Sequence, residues 1–330
     1  MFVAARSDAP QGDRIAALLR ASAEIEFGDD PRYSVDDSWS FLDDARSKKA
    51  TRILRQGDAH LAQARAAYEA LDLDTTLTLL NKALEAYKTQ TAYVRDLRPI
   101  VRTLLLLGAT YFLKGDETKA NRYFRQAALI DPGFATDPTL LNQAMRDAFA
   151  DEVAALAQRT QGSIDLQSGP SHAEIHLNGR LVGITPLQMD VLEGRYHVWV
   201  RKEGFTPWGE VMDVKAGNKL SRVIILQPNE PAQALSRVVD SAIAQLTREE
   251  LSPTSAELTT LHEHVGSDHV FLLHTTVDTT RVEVVAQQLD LACRRALPRR
   301  TEVFGYDPRP DTYRKALRRL RADAPCTCPN

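Results

Sequence analysis

Ala173-Glu-Ile-His-Leu-Asn178-Gly179-Arg-Leu-Val-Gly183-Ile-Thr-Pro186 is the stretch on which the reading of this chain turns. Two short apolar runs flank Asn178-Gly179, and a two-residue type I′ turn needs positive φ at both central positions, which Asn and Gly tolerate best. The surrounding sequence repeats the same grammar. Ile164 and Leu166, Ile175 and Leu177, then Tyr196, Val198 and Val200, then Leu220, Ile224 and Leu226 recur mostly at period two. Such spacing is that of half-buried strands, so Gly162 to Pro228 is predicted to form a small β-domain.

At these residues the stretch resembles the PEGA family, small β-sandwich modules of bacterial and archaeal proteins, many of them associated with the cell surface. The family's Asp/Asn-Gly hairpin followed by Gly-x-Thr-Pro is matched by Asn178-Gly179 and Gly183-Ile184-Thr185-Pro186, and its later Gly-aromatic step by Gly204-Phe205. Leu192-Glu193-Gly194-Arg195 stands where the family has its eponymous tetrapeptide, with the turn glycine but no proline. The resemblance implies a binding or structural module and brings no catalytic residues.

Upstream, the apolar spacing changes to that of helices. Leu77, Leu80, Leu84 and Tyr87 share one face, and Leu104, Leu107, Tyr111 and Phe112 another. Val101 to Gly133 resembles a tetratricopeptide repeat at Leu107, Gly108, Tyr111, Gly115, Ala120, Phe124, Ala127 and Pro132. Small residues at three of these positions let two antiparallel helices approach, and Pro132 stops the second. A degenerate copy counted from Gly57 keeps Ala64, Leu80 and Ala83 but has Thr76 where alanine is usual. The copies start about 44 residues apart rather than the usual ~34, so roughly ten residues around Lys88 to Arg98 must lengthen a helix or form a loop. Pro138 to about Gln158 presents Leu141, Met145, Phe149 and Val153 on one face and is expected to cap the stack.

The resulting expectation is a multidomain α+β protein. Residues 1–50 are an N-terminal arm with a short helix at Asp13 to Phe27, residues 51–160 a TPR-like helical repeat array, and residues 161–229 a small antiparallel PEGA-like β-sandwich. Residues 230–322 are a small C-terminal α/β domain, and residues 323–330 a disordered tail. The arm, with Tyr33, Trp39 and Phe41 among acidic residues, reads either as docking onto a neighbouring surface or as a solvated leader. In the C-terminal segment, helix patterns at Ala232 to Leu246 and Thr254 to Val265 precede strand runs at His269 to Val277 and Arg281 to Leu289, a third near Glu302 to Tyr306, and a helix from Asp311 to Arg321.

At 330 residues with 43% apolar and 26% charged residues, the chain is ordinary for a globular protein, and a net charge of −3 argues against a general nucleic-acid binder. No apolar run approaches the ~20 residues that cross a bilayer, although Val3-Ala4-Ala5 would suit the tail of a removed signal. Three cysteines, Cys293, Cys326 and Cys328, are too few for a disulfide scaffold and lack Cys-x-x-Cys spacing.

Of eight histidines, His262, His264, His269 and His274 cluster, but on a helix His262 and His264 diverge, unlike an i, i+4 zinc pair, and His269 and His274 fall on opposite faces of a strand. No metal or cofactor is expected. No phosphate loop, nucleophile elbow or carboxylate pair stands out, so the chain reads as a non-enzyme. The basic row Arg314, Lys315, Arg318, Arg319 and Arg321 reads as a solvated helix face.

In repeat arrays the first helix of each pair usually lines the concave face. The inward positions here are Leu61, Arg65 and Tyr68 in the degenerate copy and Arg102, Leu105, Ala109 and Phe112 in the clear one. The candidate groove is therefore Arg65, Tyr68, Arg102, Leu105 and Phe112, open to a protein or peptide partner or filled by the chain's own arm. The expected function is a non-enzymatic scaffold in a bacterial cell-envelope assembly, in the periplasm or, alternatively, the cytoplasm. The rival is an enzyme or small-ligand-binding protein whose active part is residues 230–322, with the other modules for targeting.

Overall fold

The computed structural model describes residues 1–8, 10–35, 44–278, 280–305 and 310–321. The aromatic stretch around Trp39 and Phe41 and the tail with Cys326 and Cys328 lie outside these residues. Helices and several sheets make the protein a mixed α and β structure.

Five helices follow one another in the first half: α2 (Asp44–Glu69), α3 (Leu73–Thr89), α4 (Arg98–Leu113), α5 (Glu117–Ile130) and α6 (Gln143–Ala155). Short polar caps decide where α3, α5 and α6 start. The carboxylate of Asp72 accepts from the Thr75 amide at 3.1 Å, Asp116 from Lys119 at 3.0 Å, and Asn142 from Met145 at 3.0 Å, each meeting one of the first-turn donors. Three-residue links after α2 and α4 leave no room for anything but an antiparallel return. The buried faces of these helices share one core with Leu80, Ile100, Leu104, Leu107, Phe124 and Met145. Thr76 is buried within it, and its hydroxyl returns a 2.7 Å hydrogen bond to the Asp72 carbonyl, so the threonine replaces alanine without stranding a polar group.

The β-region holds seven strands, β2 (Gln161–Gly169), β3 (Glu174–Leu177), β4 (Arg180–Ile184), β5 (Leu187–Leu192), β6 (Gly194–Arg201), β7 (Trp208–Val214) and β8 (Lys219–Ile225). They form a three-stranded sheet, β5-β2-β8, and a four-stranded sheet, β4-β3-β6-β7, whose inward side chains share one apolar core. Asn178 and Gly179 sit at φ 48° and 77° in the turn between β3 and β4, as the sequence demanded. One expectation is corrected: β2 and β8 pair in parallel, with Ser163 opposite Lys219 and Gly169 opposite Ile225, so the region is not purely antiparallel. Because its first and last strands run the same way, the chain enters at one end and leaves at the other.

The remaining elements build a five-stranded sheet. β9 (His269–Val277) and β10 (Arg281–Asp290) are antiparallel, and β11 (Arg295–Ala296) and β12 (Arg300–Gly305) both pair with β10. The other edge is β1 (Phe2–Ser7), parallel to β9 from Phe2–Val270 to Ser7–Thr275. Helices α1 (Pro10–Gly28) and α9 (Pro310–Leu320) cover one face, and α7 (Glu230–Thr247) and α8 (Ala256–Val265) the other.

This overturns the irregular arm. Phe2, Val3 and Ala4 are at most 1% exposed, and the Met1 ammonium donates to the Ser34 carbonyl at 2.8 Å. The arm's described residues 1–8 and 10–35 therefore complete and cover the C-terminal sheet, so neither a solvated leader nor a filling for the groove describes them, and residues 44–50 open α2.

Candidate functional site

Two of the candidate groove arginines come together on α2 and α4. Arg65 and Arg102, with Leu61 and Leu105 between them, line an open cleft of about 520 Å³. Its far wall is Phe134, Leu140 and Leu141, from the link between α5 and α6. Sequence reasoning missed this wall: Phe134 lies between Pro132 and Pro138, and Leu140 and Leu141 precede α6, which starts at Gln143 rather than at Pro138 as expected.

Arg65 bonds Glu69 at 2.9 Å and lies 3.7 Å from Asp137, and the Glu69 hydrogen bond raises its pKa. Arg102 is exposed and makes no ion pair among the described residues. The cleft thus combines apolar Leu61, Leu105, Phe134, Leu140 and Leu141 with Asp58, Asp137, an ion-paired Arg65 and an Arg102 that has no ion pair within contact distance among the described residues.

Tyr68 and Phe112 are elsewhere, which corrects their place among the anchors. Tyr68 is 7% exposed in the helical core; its hydroxyl donates to the Leu140 carbonyl at 3.0 Å, and burial raises its pKa. Phe112 is half-buried against the same core, and Ala109 is fully buried within it. A helical wheel assigns a face, but neighbouring helices decide which part of it stays open.

The extra residues between the two helix pairs have a clear position. Thr91–Tyr93 forms a single 3₁₀ turn that lies on β7. It lies so close that a Cβ on Gly209 would be 2.6 Å from the Ala92 Cα and 2.8 Å from the Thr91 carbonyl carbon. Arg95 follows, its guanidinium 4.5 Å from the Trp199 ring centre. The residues between the two helix pairs thus pack on the β-region.

The sheet face they cover is polar yet buried. Glu174, His176, Trp199 and Arg201 alternate with the apolar residues of β3 and β6 and are each under 9% exposed. Glu174 pairs with Arg20 of α1 and with Arg201 at 2.7 Å, while Glu24 pairs with Arg201 and with Arg20 at 2.7 Å. Burial alone pushes the Glu174 carboxyl up, but the two guanidinium groups outweigh it and hold it well below the usual carboxylate range. His176 stacks on Trp199 with ring centres 3.5 Å apart, and burial, helped by Arg201, pushes its pKa down to about 4. On β1, Arg6 reaches Glu203 after β6 and Asp240 on α7, tying all three layers of this joint together.

The histidines of the C-terminal segment do not converge. His262 Nδ1 lies 3.1 Å from the Ser267 carbonyl, His264 Nδ1 2.9 Å from that of Thr260, and His274 Nε2 2.8 Å from Asp8. Among the described residues no group of three or more His, Cys, Asp or Glu is placed to hold a metal ion. The basic row of α9 is not free: Arg314 and Arg318 pair with Glu26, Arg321 with Asp30, and Arg319 with Glu302. A shallow cleft in this segment is lined by Leu246, Glu249, Gln287, Arg299 and Thr301, with Arg299 paired to Glu249. Among the described residues no helix is long and apolar enough to cross a membrane.

The strand arrangement around Asn178-Gly179 defines a compact β-module set between a helical region and a layered sheet. Residues 161–230 match the PEGA domain family. No curated protein and no solved structure matches the chain.

Proposed function

We propose that the protein is a non-enzymatic scaffold of a bacterial envelope assembly that holds an extended segment of a partner protein in the cleft between α2 and α4. The observation that carries this reading is the cleft itself: a floor of Leu61 and Leu105, a wall of Phe134, Leu140 and Leu141, and Arg102 without an ion pair at its rim. Buried apolar anchors beside an arginine that can fork onto a backbone carbonyl or carboxylate are the usual composition of a binding hot spot.

On this reading the helices are tetratricopeptide-like repeats, for which the antiparallel pairs α2/α3 and α4/α5 and the buried Gly108–Phe124 contact are the support. The two sheets of the PEGA domain are the faces of a small sandwich, for which their shared core is the support. The domain acts as a hub that fixes the cleft relative to the sheet built from both chain ends. An envelope location is supported by Cys293, which is disulfide-bonded, since such bonds persist in oxidising compartments.

The test is capture of partners by the intact protein and by Arg65→Glu/Arg102→Glu, whose side chains are exposed. The scaffold reading expects a partner retained by the first and lost by the second at unchanged thermal stability. Equal retention would remove the cleft from the function.

A further inference from the structure

A second cleft, of about 340 Å³, opens where α5 and the link after α6 meet the turns at the ends of β5 and β7. Its walls carry Arg122, Arg125, Arg159, Arg195 and Lys215, in a chain whose net charge is −3. Two of these cations are neutralised locally. Glu152 takes Arg125 through two hydrogen bonds of 2.7 and 2.9 Å, and Glu193 takes Arg159. Arg122, Arg195 and Lys215 make no ion pair among the described residues, and the one other carboxylate on the walls is Asp213, across the β6–β7 ladder from Arg195. The Nε of Arg159 is buried in the wall with no acceptor. Arg122, whose guanidinium lies 5.5 Å from the Tyr123 ring centre, Arg195 and Lys215 stand exposed around one concavity beside this orphaned donor, and a bound anion would lower their mutual repulsion.

We propose that this cleft binds a small, multiply charged oxyanion, one bearing phosphate groups or several carboxylates. Size sets the first limit. At about 30 Å³ per water the space holds on the order of ten waters, enough for such an ion but too little for a helix or strand. Chemistry sets the second. Four of the five cations are arginines, whose planar forks match carboxylate and phosphate oxygens two at a time. The walls come from both the helical region and the PEGA domain, and Gly194 packs directly on Leu129 at their meeting. The anion therefore bridges two parts of the chain and stabilises their joint. This site is separate from the α2–α4 cleft and stands whether or not that cleft holds a protein.

The experiment is calorimetric titration of the full chain with pyrophosphate and, separately, with citrate at low salt. One saturable site is expected, weakening as salt is raised, and the tighter of the two anions tells phosphate from carboxylate chemistry. Arg122→Gln/Arg195→Gln is expected to bind about tenfold more weakly or worse, and Lys215→Gln measurably more weakly, as loss of charge-assisted hydrogen bonds requires. Arg98→Gln, whose guanidinium bonds Asp96 away from the cleft, is expected to bind as the parent does. No saturable heat with either anion, or unchanged binding by both cleft variants, would overturn the proposal.

Discussion

Gly209→Ala adds one carbon and, on balance, two hydrogens to the protein, and the structure predicts that this is enough to loosen the helical region from the β-region. The new Cβ would stand 2.6 Å from the Ala92 Cα and 2.8 Å from the Thr91 carbonyl carbon, where ordinary contact needs about 3.4 Å or more. Both obstacles are backbone, so no side chain can rotate away. Either β7 and the 3₁₀ turn move apart by most of an ångström, or the segment lifts and exposes Ala92 and Val94, now 9% and 6% exposed. Overpacking of this kind costs about 1–3 kcal/mol, and full exposure of a valine costs about as much. For a protein of 330 residues that lowers Tm by roughly 1.5–4.5 °C. Scanning calorimetry measures the shift, and hydrogen exchange localises it to the amides of residues 91–97. Gly28→Ala is the control, since a Cβ there meets nothing within 4 Å. If Gly209→Ala melted with the parent and exchanged no faster at 91–97, the proposed joint would be refuted.

Three further outcomes follow from the same geometry. Glu174→Gln removes one of the two carboxylates that Arg20 and Arg201 share, leaving Glu24, and should cost up to about 3–5 kcal/mol, read from the urea midpoint; a loss under 1 kcal/mol would mean water reaches this cluster. His176 and His197 are buried with pKa pushed down to about 4, so between about 4 and 6.5 the unfolded chain binds more protons than the folded one. Stability should therefore fall as pH drops through that window, by up to on the order of 3 kcal/mol per histidine. His176→Gln/His197→Gln should flatten the slope, and an unchanged slope would place its origin elsewhere. Tyr68→Phe removes the hydrogen bond to Leu140 and should cost about 0.5–1.5 kcal/mol by chemical denaturation, whereas Tyr68→Ala should cost about 3–5 kcal/mol, as befits a core residue.

What the sequence disclosed was local. Asn178-Gly179 and the period-two runs announce strands because turn chemistry and pleat are written within a few residues, and the spacing of Leu104, Leu107 and Tyr111 does the same for helices. The unusual interval between the helix pairs was visible too, although its role in docking was not. What stayed hidden is long-range. Phe2 to Ser7 is six residues with no alternation, and its partner β9 begins at His269, so nothing near it in sequence marks it as a strand. The row Arg314, Arg318 and Arg321 looked solvated because its complement, Glu26 and Asp30, lies almost 300 residues away.

Glu174, His176 and Arg201 were readable as the outward side of two strands, yet outward from one core here means inward to another. Trp199 among them was the available hint, because a large aromatic ring seldom faces water. For the cleft, Arg65, Arg102 and Leu105 were legible from the inward helix positions, while Tyr68 was misplaced because Leu140 and, on α6, Met145 close over it, and Phe112 packs half-buried against the same core.

The central claim, that the α2–α4 cleft holds a protein segment, is tested most directly by a photoreactive amino acid placed at Leu61 of the full chain in the native cell. A matched chain carries it at Asn81, exposed on α3 and outside the cleft-lining residues. The account predicts a discrete crosslinked partner from position 61 that is absent from position 81 and lost in the Arg65→Glu/Arg102→Glu background. No crosslink from position 61, or the same products from both positions, would contradict it.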